Sequence, residues 1–477
     1  MEAKKILIAG KFISCTDNFE VTAPYRGDTI ASVFAADRNH AEIAINKAAE
    51  CSVEMRNMPR YLLRNGLELI SKGILNRKDE FARTIARESA KPLLQARIEV
   101  ERAIATFRIA ASEAERFAGE IVPVDLNPGA EGRTATTSFT PRGVIFGITP
   151  FNYPLNLVAH KVAPALASGN SIIIKPSEKT PLTSLLLGEV FLESGLPRCS
   201  LQIVPMELDV LSEVLHDERI RMISFTGSDR VGWSLRQRYS RKAFALELGG
   251  NAPVIVDETA DLEDAANRVA IGAFAYSGQI CISVQRVIVQ ETIEPEFTSL
   301  LKEKALALKA GDPLDEKTEI SSMISKQAAE SAIEIVSEAV QNGAEIACGG
   351  QSEGNFVEPT LVRNVDPEMR IVRDEIFAPV ATIELFGSFR EAVVLANDSR
   401  FGLQAGVFTN LLNRARFAAR NLEYGGVMVN DVPTFRVDNM PYGGMKDSGI
   451  GREGVRYAME EMCERKLVVV RDSQASI

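Results

Sequence analysis

Residues 143–175 read GVIFGITPFNYPLNLVAHKVAPALASGNSIIIK. The runs GVIFGITP and SIIIK are of strand length and almost wholly apolar, the pattern of a strand buried on both faces. Between them LNLVAHKVAPALASG is long and apolar enough for a covered crossover helix, which makes the two strands parallel neighbours. Downstream the alternation continues through PLTSLLLGEVFLESG (181–195), LQIVP (201–205) and MISFTGS (222–228). Strands alternating with helices predict a parallel sheet with helices on both faces, the dinucleotide-binding kind of α/β domain. After about residue 250 the alternation restarts with APVIV (252–256), SVQRVIVQ (283–290) and APVATIELF (378–386), which predicts a second α/β domain.

Upstream, HAEIAINKAAECSVEMRNM (40–58) and EVERAIATFRIAASEAERFAGE (99–120) predict long helices. TATTSFTPRG (134–143) and KLVVVRD (466–472) read as exposed strands. An apolar strand at the C-terminus is an unprotected edge in a monomer, so a second subunit is expected to cover it. A chain of 477 residues is expected to form two or three domains. Its 64 acidic and 54 basic residues leave a net charge of −10, whose average field repels a nucleic acid backbone. The opening MEAKKILIAGKFISC holds about five consecutive apolar residues, short of a signal-peptide core, and no run approaches the length of a membrane span. The six cysteines show no C-x-x-C spacing, as expected of reduced thiols in the cytoplasm, and the three histidines are too dispersed to suggest a metal site.

Five stretches carry chemistry-bearing residues. In SGQICISVQR (277–286), Cys281 falls where a helical pattern gives way to a strand, a junction that suits a nucleophile, although a buried cysteine is as readily a small hydrophobe. In ITPFNYP (148–154), Asn152 is either a turn residue or an N–H donor to a developing oxyanion. Lys175 and Glu178 in SIIIKPSEKTP follow a buried strand, where they either bind ribose hydroxyls or are solvated turn charges. Gly227 and Ser228 in SFTGSDRVG open a helix in a way that suits a phosphate. In LELGGNAPVIV, Glu247 precedes Gly249 and Gly250, a pair that permits close approach to the backbone.

Taken in order with EIFAPV (375–380) and PYGGMKDSGIGREG (441–454), these stretches resemble the aldehyde dehydrogenase superfamily along essentially the whole chain. The resemblance implies a Rossmann-like cofactor domain over 1–118 and 142–249, a catalytic α/β domain over 250–446, and oligomerisation segments over 119–141 and 447–477. It implies Cys281 as nucleophile, Glu247 as general base, and Asn152 with the Cys281 backbone N–H as oxyanion hole. Thr149, Pro150, Phe151, Lys175, Glu178, Gly227, Ser228, Leu248, Glu375 and Phe377 would bind the cofactor. Arg108, Tyr153, Leu157, His160, Ile280, Ile282 and Arg436 would face the substrate. Thiolate addition to an aldehyde creates the alkoxide from which hydride can leave, and the resulting thioester needs a base to activate water.

NAD is the expected cofactor, because a Glu178 carboxylate beside the ribose disfavours the 2′-phosphate of NADP without excluding it. The arginines and His160 point to a small oxygenated or anionic aldehyde of the lactaldehyde kind. Leu157, Ile280 and Ile282 leave a general aliphatic aldehyde as an alternative, and a succinate-semialdehyde type as another. Relatives that release acyl-CoA lack the glutamate present here as Glu247, which disfavours that reaction, and the complete set disfavours a non-catalytic protein. The same resemblance leads to the expectation of a homodimer or homotetramer.

Overall fold

The computed structural model of the chain describes residues 2–472, so residues 473–477 of the expected C-terminal segment lie outside the described residues. The strands predicted from 143–228 form the centre of an eight-stranded sheet. Its strands run Lys11–Ile13, Ile6–Ile8, Leu201–Ile203, Ser171–Lys175, Val144–Ile148, Ile220–Thr226, Ala243–Glu247 and Gly449–Ile450 in spatial order. The five from Leu201–Ile203 to Ala243–Glu247 are parallel. The crossover helix Asn156–Ala167 is buried at every residue, the physical reason that LNLVAHKVAPALA shows no polar face. The short N-terminal strands went unread in the sequence; Ile6–Ile8 joins the sheet through a single antiparallel pairing, Leu7 with Ile203.

From the strand Val144–Ile148 the chain builds outward to Ser171–Lys175 and Leu201–Ile203. It then returns to place Ile220–Thr226 on the other side of Val144–Ile148. The loops after Ile148 and Thr226 therefore diverge, and the crevice they leave at the carboxyl edge is where open α/β sheets bind ligands. The second sheet has seven strands, Glu345–Cys348, Thr360–Arg363, Val380–Phe386, Arg286–Gln290, Pro253–Val256, Gln404–Phe408 and Gly426–Val429, parallel except for the first.

The two exposed strands find each other: Cys463–Arg471 pairs antiparallel with Arg133–Pro141 along its whole length, and Ile121–Val122 adds a third strand. Residues 447–462 are not part of this arm. Gly449–Ile450 pairs with Leu246–Glu247, and the helix Val455–Glu461 packs on the helices Leu93–Arg116 and Asn156–Ala167. Glycine is required for that pairing, because Gly449 has φ +147° and a Cβ there would stand 2.0 Å from the Leu246 carbonyl oxygen. No helix among the described residues is long and apolar enough to cross a membrane.

Candidate active site

A cavity of about 290 Å³ lies at the crevice between the diverging loops, and residues from five separate stretches of sequence line it. Pro150, Phe151, Asn152 and Leu157 come from the first loop and its helix, and Gly227 and Ser228 from the second. Glu247 ends the next strand of the sheet and Leu248 follows it, while Cys281, Glu375 and Phe377 reach in from the second sheet's side.

Cys281 follows a backbone segment that only unusual torsions allow. The helix Leu262–Phe274 ends, and Tyr276 and Ser277 then take left-handed φ values of 49° and 53°. Gly278 is also left-handed, and a Cβ on it would lie 2.0 Å from the Ala378 carbonyl oxygen. Such strain clusters at functional sites, where packing over-determines it. The Cys281 carbonyl oxygen in turn comes within 3.0 Å of a Cβ built on Gly250, which accounts for the second glycine of LELGG. The Cys281 Sγ lies 2.9 Å from the Tyr442 hydroxyl. Burial pushes its thiol up to about 12, against the opposing effect of that hydrogen bond.

Asn152 is buried and its Nδ2 donates to the Gln279 carbonyl at 2.9 Å, which ties the asparagine loop to the cysteine loop. Glu99 fixes the same loop from below: its carboxylate accepts from the backbone N–H groups of Leu155 and Asn156 at 2.9 and 3.1 Å and pairs with buried Lys91. Lys91 Nζ lies 3.5 Å from the centre of the Tyr153 ring.

Glu247 is buried, and neither carboxylate oxygen has a hydrogen-bond partner among the described residues. Burial, reinforced by the negative charge of Glu453, raises it well above the usual carboxylate range. Glu453 is the anionic hub: Lys161 Nζ stands 3.5 Å and Arg436 Nη2 3.0 Å from it. Burial works to raise Glu453, but the charges of Lys161 and Arg436 prevail and hold it at about 2. The guanidinium of Arg436 lies 3.6 Å from the centre of the Tyr442 ring, and its Nε is buried without an acceptor among the described residues.

A second hub sits beside it at Asp438. His160 Nε2 is 2.8 Å away, Asn156 Nδ2 donates at 3.2 Å and Arg102 Nη2 at 2.8 Å. Despite burial, His160 and Arg102 keep Asp438 far below the usual carboxylate range. Burial, then the nearby Arg436 charge, lowers His160, so the neutral imidazole is favoured and its Nδ1 is left without a partner among the described residues.

Not all the residues singled out in the sequence converge. Arg108 does not join this cluster: its side chain is exposed on the far side of the helix Leu93–Arg116, and Arg102, six residues earlier, supplies the cation instead. Six residues amount to about one and two-thirds turns, which turns the two side chains about 120° apart around the helix. Ile280 and Ile282 pack with Leu403 and Tyr442 around the cysteine. Arg102, Lys161, Asp438, Tyr442 and Glu453 were missed. For Lys161 the signal was present, a lysine beside a histidine in the middle of an otherwise apolar helix.

The lining of the cavity suits the nicotinamide end of a dinucleotide. A Cβ on Gly249 would lie 2.1 Å from Glu375 Oε2, so the glycine makes room for a carboxylate that also accepts from the Gly250 N–H at 3.1 Å. Burial raises Glu375 to about 8. Ser228 sits at the start of the helix Asp229–Arg238 with its side chain free of any capping bond, and Phe151 and Phe377 meet edge to face at 6.0 Å. Lys175 and Glu178 pair at 3.0 Å outside this cavity, next to Thr149, whose N–H donates to the Lys175 carbonyl. Glu178 borders a separate cavity of about 470 Å³ together with Lys179 and Glu207.

Comparison with known proteins agrees with this geometry. The model of the aldehyde dehydrogenase family matches residues 12–468. A 3-sulfolactaldehyde dehydrogenase of Priestia megaterium is 42% identical over 98% of this chain and 97% of its own length. A lactaldehyde dehydrogenase of Methanocaldococcus jannaschii is 40% identical over 98% and 100%. Among solved structures, aldehyde dehydrogenase 21 from Physcomitrella patens, in complex with the reaction product succinate, superposes with a TM-score of 0.97 at 39% identity, covering 100% of both chains. The glyceraldehyde-3-phosphate dehydrogenase of M. jannaschii complexed with NADP gives 0.92 at 39% identity, over 96% of this chain and 100% of that one. A NAD-dependent aldehyde dehydrogenase from Sinorhizobium meliloti gives 0.95 at 32%, over 100% and 96%. Sequence, fold and cavity thus converge on one conclusion, that the chain belongs to the aldehyde dehydrogenase family and is an NAD(P)-dependent enzyme of that family.

Proposed function

We propose that the enzyme oxidises a small aldehyde carrying an oxygen-rich or anionic tail, of the lactaldehyde kind, to the free carboxylic acid. In this reading Cys281 adds to the carbonyl carbon, and the oxygen that gains charge is received by Asn152 Nδ2 and the Cys281 backbone N–H. Ser228, Gly227, Glu375, Phe377, Leu248 and the 149–151 turn hold the cofactor, with Lys175 and Glu178 at its adenosine end. When bound, NAD(P) would supply the hydride acceptor, and Cys281 would then carry the acyl group as a thioester. Glu247 then activates the water that hydrolyses the thioester. The carboxylate must be ionised for that, and Lys161, Arg436 and Arg452 favour its charged form against burial and Glu453. Glu178 favours NAD over NADP. Residues 1–118 and 142–249 serve as the cofactor domain, 250–446 as the catalytic domain, and the strands Arg133–Pro141 and Cys463–Arg471 as an arm for a homodimer or homotetramer. The cysteines described are all free, which suits the cytoplasm.

The observation that carries the substrate class is a pair of orphaned polar atoms, one on Arg436, whose charge reaches Cys281, and one on His160, which that same charge reaches. The Arg436 Nε donor and the His160 Nδ1 acceptor are buried, and each lacks a partner among the described residues. An unmet buried donor or acceptor costs about 1–3 kcal/mol, which a polar substrate tail recovers and an alkyl tail does not. The relatives named for lactaldehyde and 3-sulfolactaldehyde support the same reading. The succinate held by the plant enzyme makes a semialdehyde with a carboxylate tail the second reading. The test is kcat/KM for lactaldehyde, 3-sulfolactaldehyde, succinate semialdehyde and hexanal, on the wild type and on Arg436→Ala and Arg102→Ala. The polar aldehydes are expected to exceed hexanal by tenfold or more, with the ratio collapsing in the variants. If hexanal is the best substrate, or if neither variant changes the ratio, the proposal is wrong.

A further inference from the structure

Tyr442 has been given no role above, yet it makes a direct contact with the candidate nucleophile. It lies in NMPYGGMK, its side chain is 2% exposed, and its hydroxyl is 2.9 Å from Cys281 Sγ. Among the described residues neither the hydroxyl nor the sulfur has another side-chain hydrogen-bond partner. The ring is fixed on one face by the Arg436 guanidinium and at its edge by Ile282 and Leu403. The charged and titratable groups that face the sulfur are Glu247, Glu375, Arg436, Tyr442 and Tyr153. The two glutamates oppose a thiolate, and only Arg436 and the Tyr442 hydroxyl favour it. No histidine or lysine, the usual activators of a reactive cysteine, is in contact with it among the described residues.

We propose that Tyr442 is a further catalytic residue, whose hydroxyl donates to the Cys281 sulfur, favours its thiolate and holds it in place until it attacks. The proposal rests on Cys281 being the nucleophile. The thiol proton passes to water or to Glu247. The sulfur electron pair then forms the C–S bond while the carbonyl π pair moves to oxygen, so the charge leaves the sulfur and the Tyr442 hydrogen bond weakens at that moment. The hydroxyl therefore assists ionisation and addition, and leaves thioester hydrolysis untouched. It is fitted to be a donor only, because burial and the neighbouring sulfur keep the phenol protonated far into the alkaline range. The 3.6 Å stack with Arg436 adds that a tail bound by the arginine sits one ring away from the nucleophile.

The test is the rate of iodoacetamide alkylation at Cys281, read by peptide mass along the acid limb from pH 6 to 11, below the raised thiol midpoint, on the full-length enzyme without added cofactor, so that a shift of the midpoint is read as the change in rate at fixed pH. The wild type is compared with Tyr442→Phe, which keeps the ring under Arg436, and with 3-fluorotyrosine at 442, a stronger donor of nearly the same size. Tyr442→Phe is expected to raise the alkylation midpoint by about one pH unit, making the reaction about tenfold slower on the acid limb. The fluorinated residue is expected to lower the midpoint. In rapid mixing, Tyr442→Phe is expected to slow the pre-steady-state burst of reduced cofactor and to leave the later, hydrolysis-limited rate unchanged. A midpoint that stays or falls in Tyr442→Phe overturns the proposal. So does a rise in Tyr442→Phe without a fall for the fluorinated residue, since packing alone then explains it. Retained turnover in Cys281→Ala would instead refute the nucleophile itself, an outcome separate from an unmoved midpoint.

Discussion

Gly249→Ala tests the close approach on which the cofactor site depends. The substitution brings no backbone strain, since Gly249 is not in the left-handed region, so whatever it does comes from the added methyl group. That methyl would stand 2.1 Å from Glu375 Oε2 and 2.8 Å from Oε1. Non-bonded heavy atoms rest at roughly 3.5–4.0 Å, so the carboxylate must retreat by about 1 Å or more and gives up the 3.1 Å bond from the Gly250 N–H. In the proposed site a displaced Glu375 cannot meet a ribose hydroxyl, and at pH 9, where a carboxyl raised to about 8 is ionised, a hydrogen bond to it is worth about 1.5–3 kcal/mol. The expected loss of NAD(P) affinity at that pH is therefore about 10- to 150-fold. Equilibrium titration of cofactor against the variant, with thermal melting as a check on folding, reads it directly. Glu375→Ala should cost a similar amount, and the double variant should lose little more than either, because both remove one contact. Affinity within twofold of wild type in Gly249→Ala, or additive losses in the double variant, would refute this account of the glycine.

Three further outcomes follow from the site and the arm. Glu247→Gln should abolish steady-state turnover yet keep a burst of reduced cofactor, because addition can proceed while hydrolysis stalls; no burst with cofactor still bound would place the glutamate earlier in the reaction. Burial raises both Glu247 and Cys281, so each gains its reactive charge as pH rises, and kcat/KM should climb from pH 6 to pH 9; a flat or falling profile there would contradict these roles. Leu467→Lys with Val469→Lys blunts an exposed apolar edge strand and should reduce the mass seen by light scattering towards that of a single chain, with an unchanged mass refuting the arm as the subunit contact.

The parallel sheets were legible in the sequence because a strand covered on both faces has no polar residue to hide it: Ile145, Ile172 and Ile173 announce their burial directly. The short N-terminal strands were not, since three-residue elements at a sheet's edge carry no periodicity to read. The groups lining the cavity, from Asn152 to Phe377, were legible through the order of short motifs, which survives in the linear chain. The charge network was not legible, because its logic is pairwise across long separations. Asp438 means nothing until His160 and Arg102 arrive beside it, and Glu453 nothing without Lys161 and Arg436. Arg108 was singled out and Arg102 overlooked because a helix carrying charges on both faces does not reveal which face turns inward.

The pairing of Gly449–Ile450 with Leu246–Glu247 bears on how the chain is made. The strand Ala243–Glu247 is synthesised well before its outer neighbour, and its outer edge stays open until Gly449–Ile450 leaves the ribosome. Until then the nascent polypeptide presents unpaired backbone groups on an apolar strand, the condition that invites mispairing or chaperone capture. The same late segment delivers Glu453 to Lys161 and Arg436, so a chain stopped short of it would hold those two cations without their carboxylate. A chain stopped ahead of that segment would therefore combine an open strand edge with an incomplete charge network beside Glu247.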